Sequence, residues 1–548
     1  MIMPEEDCSL HEPSGRPTEK SSTGSKDDQS YYESALAAKL AAEDAAEDDR
    51  VEDGNTPTPS PPPELSAANV PWYKQKCRVI SIAVVLAMVV AVAVVVPLAL
   101  IQDGDKNDAV NSGAPEEPTS RKNPEREAAI AARLVLVTPG GNETLMEPST
   151  PQYRALQWLV YDDEMELDPA ADHLQQRYLL MVIHFPSTKY ASVDSRQWGS
   201  AVHECEWDEV QCEDKMNLMY EYGQDGVAWT DDTPQRIVTG LTLRQRLGGQ
   251  IHEELSLLSF LQYLDLENNK LVGSLPSHIY ELHKLKTLFL SQNQLSNVDD
   301  IGEFKHLEHL SLSMNNFKGP LPASFESLKH LKTLDLHTNE FTGDLFQVIN
   351  DFESLETIDV AFNDFSGTLS PLIGNMTNLT TILLGNNQFS GGIPEEIQFC
   401  KLLQDLSVEA NHDLDGIIPA VLGQLTSLVF LNLSTCSFKG PLPASFGNLK
   451  KLKFLDVSFN NLDGALPKEL GNATSLTTLG LAYNEFEGLI PSEFGSLTNL
   501  KELVIQNNNL KGVMPQEICT LRQEGILTSI TASCDNIDCT CCDGSYCN

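Results

Sequence analysis

LKFLDVSFNNLDGALPKELGNATS (Leu452–Ser475) runs without a gap into LTTLGLAYNEFEGLIPSEFGSLTN (Leu476–Asn499). Set one above the other, the two stretches agree at the leucine places, at one asparagine, and at a Gly-x-x-Pro ending. The same frame runs from Ile237 to Ile518, with Leu241, Leu264, Leu288, Leu310, Leu334, Ile358, Ile382, Leu406, Leu431, Leu455, Leu479 and Leu503 in one equivalent place. Most neighbours in that series are 24 residues apart; the exceptions are spacings of 23, 22 and 25. A fixed period of this size means one supersecondary unit that cannot bury its apolar face alone and must stack on copies of itself.

Each unit's L-x-L pair points inward from a short strand, because side chains alternate faces along an extended backbone. Stacking the units gives an α/β solenoid of about 12 coils with a parallel β-sheet on its concave side. Asn269, Asn293, Asn315, Asn339, Asn363, Asn387, Asn411, Asn460, Asn484 and Asn508 recur where the chain turns out of the strand. Their amides are expected to form a ladder that satisfies backbone groups at the turn. Cys436 stands in that ladder in one unit, and Cys400 takes a convex core place held elsewhere by Leu328, Leu425 or Leu497. Both read as free structural thiols.

The LxGxIP ending (Gly440-Pro441-Leu442-Pro443, Gly488 to Pro491) resembles the plant-type leucine-rich repeat. Cys205-x-Trp207-x-x-x-x-Cys212 resembles the N-terminal cap of plant leucine-rich-repeat receptors. The whole layout is similar to membrane-anchored repeat proteins of diatom type: acidic tail, apolar anchor, QYRALQWL, HECEW, repeats and a CxCC end. The resemblance implies a receptor-like protein. Three places depart from the pattern. LTLRQRLGGQI lacks the asparagine, SQNQLSNVDDI lacks GxIP, and Glu209 replaces the glycine usual in such caps.

Outward from the repeats, Val79–Ile101 is 23 residues without a charge, roughly 34 Å of helix and long enough for a ~30 Å hydrocarbon core. Lys74, Lys76 and Arg78 precede it and Asp103, Asp105, Lys106 and Asp108 follow. Positive-inside bias then leaves the N-terminus cytoplasmic and exports the rest, giving a single-pass plasma-membrane protein with an extracellular repeat domain. The resulting division is 1–78 disordered acidic tail, 79–101 transmembrane signal-anchor helix, 102–127 stalk, 128–236 cap region, 237–518 solenoid and 519–548 Cys-rich cap. The tail carries a net charge of −8 and a PTPSPPP run, a composition that cannot bury a core. Cys77 beside the span reads as a free thiol, with palmitoylation the alternative. In the cap region Thr150-Pro151 signals a helix start, and Asp172 is expected to cap a second helix.

Ten of the 12 cysteines follow the span, as expected in an oxidising compartment. Cys205–Cys212 is expected as a disulfide. Cys519, Cys534, Cys539, Cys541, Cys542 and Cys547 allow 15 pairings, with a zinc site as the less favoured reading and no metal expected. Sequons stand at Asn142, Asn375, Asn378, Asn432 and Asn472; Asn375 and Asn378 are too close for both to be used, and a glycan on Asn432 would stand on the concave face.

A formal charge of −41 argues against nucleic acid as a partner. No phosphate loop, metalloprotease motif, nucleophile elbow or kinase motif is present. His203 near paired acids reads as local packing, so neither catalysis nor a cofactor is expected. Binding is the remaining class. Outward strand positions include Asp335, Asp359, Leu383, Asn432, Asp456 and the neighbours Phe430 and Phe454. The two phenylalanines fall on adjacent strands about 4.8 Å apart and read as an exposed aromatic pair, a candidate hot spot. The insertion 213–235, with Tyr220, Tyr222 and Trp229, is a second candidate surface. The expected function is a receptor-like protein that binds an extracellular peptide, glycan or protein and recruits a cytoplasmic kinase or adaptor. The alternative is a surface adhesion, wall-associated or inhibitor protein that only anchors.

Overall fold

The computed structural model describes residues 124–187, 198–207, 209–215, 218, 235–533 and 536–542. The tail, Cys77, the apolar run 79–101, the stalk before 124, the insertion's aromatic residues, Cys534 and Cys547 lie outside them. Among the described residues no helix is long and apolar enough to cross a membrane. The chain divides into units 1–103 and 104–548, and the described residues belong to the second.

The L-x-L strands assemble into one 14-stranded sheet that follows chain order. Its first strand, Val210–Asp214, is antiparallel to Arg236–Thr242, and the neighbours are parallel from there on, as between Phe430–Asn432 and Phe454–Asp456. Register is fixed by burial, because a one-residue slip would turn every leucine outward. Leu334, Ile358, Ile382, Leu406, Leu431, Leu455 and Leu479 are all wholly buried. The sheet does not stop at Ile518: after the helix Gln516–Gln523, the strand Ser529–Thr531 pairs in parallel with Glu502–Val504. At the other end, the first cap helix spans Pro124–Leu134, so it begins inside the segment read as stalk.

The asparagine ladder forms as the spacing predicts. Asn460 Oδ1 accepts the Phe438 N–H at 2.9 Å, and its amide donates to Leu433 O at 2.8 Å and to Val457 O at 3.1 Å. Each ladder amide thus ties its own turn to the coil before it. The residue preceding each asparagine adopts a left-handed conformation, from Asn268 (φ 55) to Asn507 (φ 55), even where it is Phe362, Phe459 or Tyr483.

The GxIP ending builds a second, lateral sheet. Gly440 (φ 78) supplies the left-handed turn that a side chain would strain, and the next proline ends the strand because it has no N–H to donate. Pro443, Pro467 and Pro491 each open a five-residue 3₁₀ turn on the convex side. These tight turns stand where an α/β reading would place α-helices, since few residues separate the proline from the next strand. Seven lateral strands run continuously from Lys318–Pro320 to Asn461–Asp463. The three earlier ones form a separate sheet, and its register shifts between Gly273 and Ser274 opposite Asn297. That break falls at the unit lacking GxIP, while the inner sheet crosses the same coil intact.

Beneath the lateral sheet Phe317, Phe341, Phe365 and Phe389 stack in series, with centroids 5.7, 5.9 and 6.5 Å apart. Such pairs contribute about 0.5–1.5 kcal/mol each beyond area burial. The cap meets the first coil through Gln176, whose Oε1 accepts the Val238 N–H at 2.8 Å, and is itself centred on Arg177, which is wholly buried. Its guanidinium grips Asp163 through two hydrogen bonds of 2.9 and 2.7 Å, donates to Val202 O and Ser200 O, and lies 4.6 Å over the Trp207 ring. Thr150 caps the helix Pro151–Gln157 as expected, accepting from Tyr153 N–H. Asp172 differs from expectation: rather than capping Leu174–Ser187, its carboxylate accepts from the Gln235 N–H. Cys205–Cys212 is bonded, as are Cys519–Cys541 and Cys539–Cys542.

Candidate functional site

The outward side chains of the inner sheet are set in rows by the parallel register. Phe430 lies opposite Asp405 on one side and Phe454 on the other. The two rings stack at 4.5 Å with 12° between planes. Sequence spacing placed them together correctly, but not their exposure: Phe430 is 6% and Phe454 4% exposed. Parallel register sets the rings face to face, so each covers the other. The expectation of an exposed pair is corrected accordingly.

Asn432 and Asp456, opposite each other two residues further along the same strands, are also buried, each with its carbonyl or carboxylate oxygen turned back to its own strand. Asn432 Oδ1 accepts from the Ser434 N–H at 3.1 Å and the Ser434 hydroxyl at 2.7 Å. Asp456 Oδ1 accepts from the Ser458 N–H at 2.8 Å. At 2% exposure, Asn432 has no room for a glycan, contrary to the reading of its sequon. Of the seven outward residues singled out from sequence, Asp359 and Leu383 are the ones left partly open.

Asp359 belongs to a polar cluster at the middle of the sheet. His337 Nδ1 lies 2.7 Å from Asp335 Oδ1 and 3.7 Å from Asp359 Oδ2. The second oxygen of Asp335 accepts from the Ser311 and Ser313 hydroxyls. Burial alone would raise the Asp335 pKa. The His337 charge and hydrogen bond, together with the two serines, outweigh it and hold the carboxyl below its ordinary value. Nearby, burial lowers His309. Toward the C-terminal end, burial and then the Asp456 charge raise Glu502. The N-terminal end carries Arg244, paired with Asp265 and Glu267. From there on the face is acidic in character, through Asp335, Asp359, Asp405, Glu409, Asp456 and Glu502.

Among the described residues, two side-chain groups bring three metal-ligand atoms together, Asp335/His337/Asp359 and His173/His203/Glu204. In the second, His203 Nδ1 accepts the Cys205 N–H and Glu204 receives His173 at 2.9 Å and Gln176 at 2.8 Å, with Arg177 at 3.8 Å. Those donors serve the cap. In the first, Asp335 is engaged by serines and histidine as described.

One surface feature was missed from sequence. Phe459 and Tyr483, both at the left-handed turn, stack at 4.2 Å on the rim, and Tyr483 is 41% exposed. The signal that could have found it is the aromatic residue directly before successive ladder asparagines.

A family model described as Leucine rich repeat matches residues 259–317, and one described as Leucine Rich Repeat matches 378–400, 427–449, 451–473, 475–497 and 499–521. Receptor-like protein 41 of Arabidopsis thaliana is 40% identical over 85 residues. The chain carries leucine-rich repeats, and over the aligned stretch it is similar to a plant receptor-like protein. That alignment takes in 15% of this chain and 10% of the relative. Among solved structures, a TDR receptor aligns with TM-score 0.52 and 35% identity over 55% of this chain and 51% of its own. The Arabidopsis receptor kinase HAESA, in complex with the peptide hormone IDA and the co-receptor SERK1, aligns with TM-score 0.54 and 28% identity over 64% of this chain and 55% of its own. The chain therefore spans about half the length of these solved receptors and a tenth of the curated relative.

Proposed function

We propose that this chain is a single-pass, membrane-tethered binding protein whose inner sheet takes an extracellular peptide or protein ligand. The apolar run 79–101 would be its anchor, and the N-terminal tail would reach a cytoplasmic kinase or adaptor. The reading rests chiefly on the likeness to HAESA, a receptor solved with a peptide hormone and a co-receptor. The sheet supports it physically. Consecutive strands present rows of side chains at ~4.8 Å spacing, which suits an extended chain laid across them. The acidic residues of those rows favour a ligand carrying Lys or Arg. No reaction is assigned, because binding alone accounts for these features.

The test displays the full-length chain on cells and pans it against a random-peptide library. Leu383→Glu with Asp359→Lys should abolish enrichment of binders, whereas Lys468→Glu on the convex side should not. Equal enrichment by all three would count against the inner sheet. Epitope tags at both ends settle topology separately: only the C-terminal tag should be reached by antibody on intact cells.

A further inference from the structure

We propose that Asn375 carries an N-linked oligosaccharide whose first sugars cover Phe399. The inference rests on the export reading above. Asn375 closes the convex 3₁₀ turn Pro371–Asn375, and Phe399 closes the equivalent turn, Glu395–Phe399, of the next coil. Asn375 is exposed and its carboxamide makes no hydrogen bond among the described residues, so the nitrogen is open to substitution. Met376 and Thr377 complete the sequon, and Thr377 is also exposed.

Phe399 is the unexplained half of the pair. In a chain of net charge −41 its ring stands 54% exposed, with Leu372 at 46% and Leu402 at 51% on the same two coils. An aromatic ring this open beside a modifiable asparagine is one that a covalent cover would shield from water. The ring reaches the neighbouring coil because Gly374 has no side chain: a Cβ there would sit 3.1 Å from Phe399 Cδ2. That places the aromatic ring beside the residue preceding Asn375. A sugar attached at Asn375 would bring the apolar C–H face of its pyranose to the ring, the same complementarity by which aromatic faces receive C–H groups elsewhere.

The other sequons do not offer this combination. Asn378 donates its amide to Glu353 O at 3.2 Å, tying its coil to the previous one. Asn432 is 2% exposed and bonded to Ser434. Asn142 and Asn472 are exposed, so they can serve as internal standards for export.

The full-length chain is produced in a secreting eukaryotic cell, and glycosidase treatment in heavy-oxygen water is followed by peptide mass mapping. Occupancy is expected at Asn375 and not at Asn378 or Asn432. Thr377→Ala, which removes the sequon but keeps Asn375, should raise binding of a hydrophobic dye by about twofold, and adding Phe399→Ser should reverse the rise. An unmodified Asn375 beside a modified Asn142 or Asn472 would overturn the proposal while leaving export intact. So would dye binding that ignores Thr377→Ala. A chain without any glycan would overturn the export reading and this inference with it.

Discussion

Cys436 looks at first like a simple lapse in the asparagine ladder, and the residues around it explain why a thiol belongs there. An asparagine in this place would donate to the preceding coil and accept the N–H of Leu414. The thiol keeps the first half, with Sγ 3.3 Å from Val408 O. The second half is not needed: Leu414 N–H already donates to Asn411 O at 3.0 Å. It can do so because the coil beginning at Leu406 is one residue longer than most, with His412 and Asp413 between Asn411 and Leu414. The 25-residue spacing and the missing asparagine are therefore two sides of one adjustment. Cys436→Asn, although it restores the pattern, should cost about 1–2 kcal/mol by burying an acceptor without a donor. Removing Asp413 as well should recover most of that loss, both read from urea midpoints. Burial also pushes the Cys436 thiol up to about 12 and Cys400 to about 11. Neither should be alkylated in the native protein at neutral pH within the time that denatured chains react fully, as mass spectrometry would record.

Among elements, the cap was least legible and the coils most. Strands and ladder follow from a periodic pattern, and each coil repeats the evidence of its neighbours; the lateral sheet was not read from it, although the unit lacking GxIP is where that sheet is interrupted. The cap has no such redundancy. Its centre is Arg177 against Asp163, 14 residues apart on different elements, and no spacing rule joins them. Arg177→Met should leave the Asp163 carboxylate buried and unpaired, costing about 3–5 kcal/mol in urea unfolding. Adding Asp163→Leu should restore much of it; failure to do so would mean that the contacts with Trp207 and the backbone carbonyls dominate. The helix Leu174–Ser187 also holds His184, stacked on Trp198 at 5.4 Å. Burial first, then the charges of Arg246 and Arg154, lower its pKa to about 4. The unfolded chain takes up this proton near pH 6.5 and the folded one only near 4. Stability is therefore lost as pH falls through that window, by about 3 kcal/mol at most. Comparing His184→Phe with the unaltered protein at pH 7 and pH 4.5 isolates the effect: the variant should lose less on acidification.

At the scale of the molecule, charge and register do different work. Net charge says nothing about the fold, but self-repulsion at −41 opposes the compact state. Raising ionic strength from about 0.01 to 0.15 M shortens the screening length from about 30 to 8 Å. The melting temperature should rise by several degrees over that range, and a flat profile would mean that the acidic groups are locally neutralised. Register explains the mixed legibility of the ligand face. Which residues share a row was readable, since Phe430 falls beside Phe454 by arithmetic alone. How open each one stands was not, because that depends on whether neighbouring side chains stack, as the rings do, or bond back to their own strand, as Asn432 does. The C-terminal cysteines carry the same lesson: counting left every pairing open, and three-dimensional proximity selects Cys519 with Cys541 and Cys539 with Cys542.

The ladder amides reach only backward, so each turn that an asparagine closes borrows those hydrogen bonds from a residue synthesised about two dozen positions later. A nascent chain leaving the ribosome would thus carry one unfinished loop at its growing tip, sealed as the next emerges. Asn507 N–H donates to the Ser533 hydroxyl and Gly512 N–H to Asn536 O, so the final seal arrives last of all. Premature termination before that point would release a product permanently frayed at its trailing edge.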